Sequence, residues 1–127
     1  MVAPVNASGA FHSILAKDAV REFESVLTQY RIEQPSLPVY YNVDGNKECD
    51  DIKAVLAGQL RKSVQFVKTI ENMYSDGITN FIAVGPGASL AGFARDTARA
   101  NGIDINTYTV ETHDDAIKLL EKIEATQ

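Results

Sequence analysis

The segment Asn80-Phe-Ile-Ala-Val-Gly-Pro-Gly87 decides the fold class. Its apolar run, 81–84, is too short for a helix, and its lack of polar residues is typical of a strand buried on both faces. After the Gly-Pro-Gly turn, residues 88–100 have helical spacing, with Leu90, Phe93, Ala94 and Thr97 expected to face inward. Asn101-Gly102 ends that pattern. Residues 105–110 alternate apolar and polar, which predicts another strand. This order of elements predicts parallel strand pairing.

Upstream of this segment, the pattern predicts one more strand and three helices. The first helix starts at Ser13, whose hydroxyl can cap it, and its apolar stripe holds Leu15, Ala19, Phe23, Val26, Leu27 and Tyr30. A strand is expected over 37–43, with Pro38 confined to its first position or to a sheet edge. A second helix opens at Asp50 or Asp51, and a third is capped by Ser63.

Downstream, Thr112 and Asp115 form a variant capping box for a last helix. The sequence therefore predicts an α/β fold: a small, mostly parallel three-stranded sheet flanked by about five helices, in a single domain over 1–127. A parallel sheet needs both faces covered, and three strands make a small one. We therefore expect the chain to be an incomplete part of a larger α/β fold, or a partner to supply the rest.

Composition excludes several classes of protein. The chain has 127 residues, and Lys plus Arg number 12 against 17 for Asp plus Glu, which gives a net charge of -5. An acidic chain without a basic run argues against nucleic acid or an anionic membrane surface as partner. Cys49 is the one cysteine, so a reducing compartment, the cytoplasm, is expected. Residues 1–9 lack the pattern of a signal peptide.

Few residues are candidates for chemistry. His12 lies just before a helix, where an imidazole can act as a general base, although a solvated or capping histidine is the more common case. Ser89 follows a strand and opens a helix, as in a nucleophile elbow, yet it comes after the histidine and lacks the motif's second glycine. A structural turn is the simpler interpretation of 85–87. Cys49 beside acidic residues and a solvated His113 are expected to be inert.

Several segments, taken in order, resemble one family. Gly9-Ala-Phe-His-Ser13 resembles the histidine motif of malonyl-CoA:acyl carrier protein transacylases. Pro38-Val-Tyr-Tyr-Asn-Val43, Gly58-Gln-Leu60 and Ser63-Val-Gln-Phe66 resemble the blocks that follow it, and Phe81-Ile-Ala-Val-Gly-Pro-Gly87 resembles the late strand and its turn. The resemblance runs from about residue 4 to residue 95, and it implies the C-terminal part of the family's large, α/β-hydrolase-like subdomain.

The family transfers malonyl from coenzyme A to the phosphopantetheine thiol of acyl carrier protein, in fatty acid biosynthesis. One cysteine and two distant histidines give no metal-ligand spacing in this chain, so we expect no metal, and we expect no other cofactor. The resemblance implies that His12 is the general base and that the backbone carbonyl at Gln59 orients its ring. The family's Gly-His-Ser-x-Gly elbow, oxyanion glutamine and carboxylate-binding arginine are absent. The chain is therefore not expected to be active alone.

Three hypotheses of function remain open. The first is an acyltransferase segment that acts with a serine-bearing companion chain. The second is a non-catalytic α/β interaction module, or a truncated remnant of an acyltransferase, in which a partner or a second copy covers the sheet. The third is a self-sufficient hydrolase that uses Ser89 with His12, which requires the two side chains to lie within hydrogen-bond reach.

Overall fold

The computed structural model describes residues 9–125, and the predicted start of the family resemblance near residue 4 lies outside them. A short 3₁₀ turn, Ile14–Ala16, precedes five helices and two strands. In chain order these are α1 (Lys17–Leu27), α2 (Ile52–Gly58), α3 (Phe66–Ser75), β1 (Asn80–Val84), α4 (Ser89–Asn101), β2 (Asn106–Val110) and α5 (His113–Glu124). The chain divides into two compact units, one ending at Thr69 and one beginning at Ile70. The predicted α/β class and the five helices are confirmed.

The first unit is built on α1 and α2. The Ser13 hydroxyl accepts from the Leu15 amide, so it caps the 3₁₀ turn, whereas α1, which was expected to start at Ser13, begins at Lys17 without a side-chain cap. Asp51, rather than Asp50, caps α2 by accepting from the Ala54 amide at 3.0 Å. The small core of this unit contains Val20, Leu27 and Ala57, with Phe23, Ile32, Leu56 and Leu60 packed against it.

The apolar stripe predicted for the first helix is only partly covered. Leu27 is buried and Phe23 packs on the core, but Leu15 is 76% exposed, and Tyr30 is also exposed. The stripe is wide, and α2 covers the side of α1 that carries Val20 and Leu27. The six residues of the predicted stripe are therefore not all covered, and those on the side away from α2 stay at the surface.

The predicted strand over 37–43 is absent from the described residues. Instead the chain turns: the Tyr41 amide donates to the Asn46 carbonyl at 2.9 Å, and the Tyr41 carbonyl accepts from the Gly45 amide at 2.8 Å. These bonds use the amide and the carbonyl of Tyr41, which in a strand would bond to a neighbouring strand. Pro38 has no amide hydrogen to donate to such a neighbour. Three strands were thus predicted, and the described residues form two.

The turn after this segment requires glycine. Gly45 is buried with φ +73°, and a Cβ built there would lie 2.8 Å from the Thr69 nitrogen and 3.0 Å from the Lys68 carbonyl carbon. The start of the next helix differs from the prediction. Helix α3 begins at Phe66, so Ser63 is too far upstream to cap it, and the Gln65 amide bonds instead to the Asn42 carbonyl.

The second unit contains the sheet. Strands β1 and β2 pair in parallel, with Asn80 opposite Asn106 and Val84 opposite Val110. Helix α4 contacts both strands, whereas α5 contacts β2 and makes no such contact with β1. Helix α4 ends at Gly102 in the left-handed conformation, as predicted. The predicted capping box of Thr112 and Asp115 is present at the start of α5.

The side of α4 that faces the sheet differs from the prediction. Ala94 and Thr97 are buried as expected, together with Ala91 and Ala98. Leu90 and Phe93, which were expected to face inward, are more than half exposed. The small residues of α4 therefore make the close approach, and its large apolar side chains are left at the surface.

Candidate functional site

His12 lies at the end of α2, held by two consecutive carbonyls. Its ring nitrogen Nδ1 is 2.8 Å from the Gln59 carbonyl oxygen. Its backbone amide donates to the Leu60 carbonyl at 3.0 Å. Gln59 is the C-terminal cap residue of α2, and carbonyls at a helix end have no partner within the helix. The histidine therefore satisfies two carbonyls that the helix itself leaves unpaired.

The contact with Gln59 fixes the tautomer of the neutral ring. A carbonyl oxygen only accepts hydrogen bonds, so the Nδ1 of His12 must carry the hydrogen that it donates to Gln59. Nε2 then carries the lone pair. A neutral imidazole in this tautomer is arranged to take a proton at Nε2, and the carbonyl stabilises the imidazolium that results. An imidazole held in this way can act as an oriented general base without a carboxylate.

The backbone of His12 is strained. With φ at 57°, it is the one non-glycine residue at positive φ among residues 9–125. Such a conformation costs about 1–2 kcal/mol for a residue with a Cβ. Strained residues persist where the surrounding structure determines them, and they cluster at functional sites. Sequence reasoning missed both this conformation and the Leu60 contact, because no residue pattern near His12 signals either.

Residues beside His12 support its position and surround it with apolar surface. The Ser13 hydroxyl donates to the Ala10 carbonyl at 2.7 Å, which closes the turn that contains the histidine. Phe11, Ile14 and Leu15 are large apolar residues with most of their surface exposed, and His12 itself is exposed. The imidazole is thus accessible, next to an apolar surface.

Ser89 does not have the conformation of an elbow nucleophile. It is the first residue of α4, and the residue before it, Ala88, makes no side-chain cap. An elbow serine occupies a sharp, strained strand-to-helix turn. In this chain the positive φ angles of that turn belong to Gly85 and Gly87. Ser89 lies in the second unit and His12 in the first, and their pairing stays a prediction.

Cys49 and His113, the two residues expected to be inert, make only ordinary local contacts among the described residues. Cys49 is partly buried, and its carbonyl accepts from the Gln34 side chain at 3.1 Å. His113 begins α5 with its Nδ1 3.9 Å from an Asp114 carboxylate oxygen, both side chains being exposed. Between residues 9 and 125, no group of three His, Cys, Asp or Glu side chains is placed to hold a metal ion.

The chain is similar to known transacylases along most of its length. It is 33% identical over 116 residues to the malonyl CoA-acyl carrier protein transacylase of Staphylococcus aureus, a match that covers 90% of this chain. Nine-tenths of the chain is therefore homologous to malonyl CoA-acyl carrier protein transacylases. The resemblance predicted from the sequence is confirmed. No family model matches the chain.

Solved structures give the same result for the fold. The transacylase of Clostridium perfringens superposes with a TM-score of 0.86 at 28% identity, over 96% of this chain. A malonyl-transacylase solved in complex with its type II PKS acyl-carrier protein superposes with a TM-score of 0.81 at 25% identity. This chain thus shares its fold with part of each of these transacylases.

The match covers only part of each relative. This chain spans 36% of the Staphylococcus aureus protein and 38% of the Clostridium perfringens chain. Most of the length of those proteins therefore has no counterpart in the 127 residues. No helix in residues 9–125 is both long and apolar enough to cross a membrane.

Proposed function

We propose that this chain is the histidine-bearing part of a malonyl-CoA:acyl carrier protein acyltransferase and that it acts with a serine-bearing companion chain. The observation that carries the proposal is the 2.8 Å contact between the His12 Nδ1 and the Gln59 carbonyl. That contact leaves Nε2 as a proton acceptor on an accessible ring. Homology to malonyl transacylases over 90% of the chain supports the reaction class.

In the first half-reaction, the companion's serine hydroxyl attacks the thioester carbonyl of malonyl-CoA. His12 Nε2 takes the hydroxyl proton as the new C–O bond forms, and the Gln59 carbonyl stabilises the charged ring. The C–S bond then breaks, and the ring returns the proton to the coenzyme A thiolate. The products are a malonyl-serine ester and coenzyme A, and the imidazole is neutral again.

In the second half-reaction, the phosphopantetheine thiol of acyl carrier protein gives its proton to His12 Nε2 and attacks the ester. The serine oxygen leaves and recovers the proton. One of the solved relatives is a complex with an acyl-carrier protein, which supports a carrier protein as acceptor. Both half-reactions need the serine, so His12 alone supplies a general base, worth about 10²–10⁴-fold in rate, and no acyl-enzyme.

The proposal includes the organisation and the location of the protein. We propose that residues 1–127 form one incomplete domain, completed by the companion, and that the pair works in the cytoplasm. A chain that spans 36% of its Staphylococcus aureus relative supports the first statement. The single cysteine, which cannot form an intrachain disulfide, supports the second.

The test is co-expression of this chain with the portion of the Staphylococcus aureus transacylase that it does not span. Malonyl transfer to acyl carrier protein by the purified pair supports the proposal. A pair containing His12→Ala should form equally well and transfer about 10²–10⁴-fold more slowly. His113→Ala, in an exposed histidine outside the site, is the matched control and should change nothing. Transfer that is insensitive to His12→Ala would rule out the assigned role.

A second candidate function is a non-catalytic interaction module. Ser89, the serine considered for an elbow, lies in an ordinary helix, and this observation favours that alternative. A serine-directed probe separates the two functions. An acyltransferase pair is labelled on the companion's serine in a reaction that His12→Ala slows, whereas a non-catalytic module leaves labelling of the companion unchanged.

A further inference from the structure

The turn that contains His12 forms against a conformational cost. His12 has φ at 57°, a backbone conformation that is unfavourable for any residue with a Cβ. Its two bonds to the end of α2, from Nδ1 to the Gln59 carbonyl and from its amide to the Leu60 carbonyl, oppose that cost. The net value of a hydrogen bond that water can replace is of the same order as the strain. The two bonds alone therefore hold the exposed His12 only weakly, and a further restraint must act on the turn.

The Ser13 hydroxyl is placed to act as that restraint. It donates to the Ala10 carbonyl at 2.7 Å and accepts from the Leu15 amide at 3.3 Å. A hydroxyl has one hydrogen and two lone pairs, so it can make both bonds at once. One bond reaches a residue before His12, and the other reaches a residue after it. Ser13 therefore joins the two sides of the turn across the histidine.

The surroundings of Ser13 fit the same role. Its backbone is extended, with φ at -135° and ψ at 167°, and its carbonyl accepts from the Ala16 amide at 3.1 Å. Ser13 is half-buried, whereas Phe11, His12 and Ile14 beside it are exposed. Three hydrogen bonds thus fix residue 13. The conformation of His12 is determined from this side as well as from α2.

The Ser13 hydroxyl does not act on the imidazole directly. Its one hydrogen is donated to the Ala10 carbonyl, so none remains for a bond to the ring of His12. The ring contacts the Gln59 carbonyl instead. Ser13 can therefore affect proton transfer only through the placement of His12.

We infer that Ser13 is a positioning residue for the general base: its hydroxyl holds the turn in which His12 has positive φ, and that turn holds Nδ1 on the Gln59 carbonyl. The effect on malonyl transfer rests on the function proposed above, whereas the effect on the ring is measurable in this chain alone. Without the hydroxyl, the backbone of His12 relaxes and the ring leaves the carbonyl. The hydrogen of the neutral ring then divides between Nδ1 and Nε2, and a ring with its hydrogen on Nε2 cannot accept the serine proton there.

The test compares two hydroxyl groups that make the same kind of bond. Thr28 donates to the Ser25 carbonyl at 2.7 Å, three residues upstream, as Ser13 donates to Ala10. Nitrogen-15 NMR at alkaline pH measures the ratio of the two His12 tautomers. Ser13→Ala should lower the ratio of the Nδ1-protonated to the Nε2-protonated ring roughly five- to tenfold. Thr28→Ala is the matched control and should leave that ratio within about twofold of the unsubstituted chain.

Malonyl transfer should follow the state of the ring. In the pair formed with the unspanned portion of the Staphylococcus aureus transacylase, Ser13→Ala should lower kcat/KM roughly five- to tenfold. Ser13→Thr keeps a hydroxyl and should recover most of that loss. Ser13→Val has nearly the shape of threonine without the hydroxyl and should recover none of it. Equal losses for the threonine and valine variants would overturn the inference, as would a tautomer ratio that Ser13→Ala leaves unchanged or that Thr28→Ala lowers as much.

Amide hydrogen exchange on the unsubstituted chain gives a readout that does not depend on the variants folding. The amides of His12 and Leu15 should exchange more slowly than in an unfolded peptide, because they donate to the Leu60 carbonyl and to the Ser13 hydroxyl. Exchange of the Leu15 amide at the rate of an unfolded peptide would show that the hydroxyl does not close the turn, and the inference would fail.

Two outcomes separate this inference from the proposed function. A tautomer ratio that falls in Ser13→Ala, when the unsubstituted pair transfers no malonyl, supports the positioning of the ring and contradicts the proposed function. Transfer by the unsubstituted pair, with Ser13→Ala changing neither the transfer nor the tautomer ratio, contradicts the positioning role alone.

Discussion

Replacing His12 by glycine is expected to leave the stability of the chain nearly unchanged, although it removes the whole side chain. The imidazole contributes one hydrogen bond, from Nδ1 to the Gln59 carbonyl. Losing such a bond costs about 0.5–1.5 kcal/mol. The residue has φ at 57°, and glycine adopts that conformation without the penalty of about 1–2 kcal/mol that a Cβ incurs. Glycine also makes the unfolded chain more flexible, at a cost of about 0.4–1 kcal/mol.

These contributions nearly cancel, so His12→Gly should unfold within about 1 kcal/mol of the unsubstituted chain. His12→Ala loses the same bond but keeps the strained backbone, and it should be destabilised by about 0.5–1.5 kcal/mol. Urea titrations followed by circular dichroism measure both free energies of unfolding. Both variants should fail as general bases in the reconstituted pair. A glycine variant clearly less stable than the alanine variant would refute the reasoning, because φ could then not be positive at this position.

Three further predictions test other parts of the structure. Gln59→Ala keeps the backbone carbonyl that holds the imidazole, so malonyl transfer by the pair should stay within about twofold of the unsubstituted pair, and a loss approaching that of His12→Ala would contradict the backbone contact. Gly45→Ala should lose about 2 kcal/mol or more of the free energy of unfolding, because the added Cβ would meet backbone atoms. Gly77→Ala, at φ +88° with open space around it, should lose only about 1 kcal/mol. Equal losses for the two variants in urea titrations would contradict this reasoning. Hydrogen bonds from the Thr112 hydroxyl and from the backbone amides of residues 112 and 111 lower the pKa of Asp115 from its usual 3.8. These bonds therefore stabilise the fold above pH 3.8, and that stabilisation is lost as the pH falls through the lowered pKa. Thr112→Ala should make the urea midpoint less dependent on pH in that acidic range. An unchanged dependence would show that the capping box does not cause the lowered pKa of Asp115.

The elements of the second unit could be predicted closely from the sequence because their signals are local. An apolar run bounded by Gly-Pro-Gly, the Asn101-Gly102 stop and the pair Thr112 and Asp115 each specify a boundary through hydrogen bonds made within a few residues. The failures came where the outcome depends on distant partners. The strand over 37–43 needed a neighbouring strand to pair with, and the Tyr41 turn formed instead.

The candidate site shows the same limit. The resemblance to transacylases pointed to His12 and to the carbonyl of Gln59, which lie 47 positions apart in the sequence and in contact in the structure. Residue spacing alone could not have joined them, because the contact depends on where α2 ends relative to the turn before α1. The positive φ of His12 was also beyond sequence reasoning, since it results from the turn that surrounds the residue.

The exposed apolar side chains explain why the predicted burial was too high. Leu15, Leu90 and Phe93 have helical positions that match a core, and all three are more than half exposed. The hydrophobic pattern marks the face of a helix that can pack against a neighbouring element, but it does not show whether that neighbour is present in the chain. The relatives, of which this chain spans little more than a third, have additional length that can supply those neighbours.

Nitrogen-15 NMR of the imidazole rings tests the oriented base most directly, because it reads the ring of this chain without a companion. At alkaline pH, where an imidazole is neutral, the His12 Nδ1 should carry the proton and Nε2 should show the shift of an unprotonated nitrogen. His113, an exposed ring at a helix start, provides the internal comparison. A His12 ring protonated on Nε2, or one that exchanges between the two tautomers, would contradict the bond to the Gln59 carbonyl and remove the base from the proposed reaction.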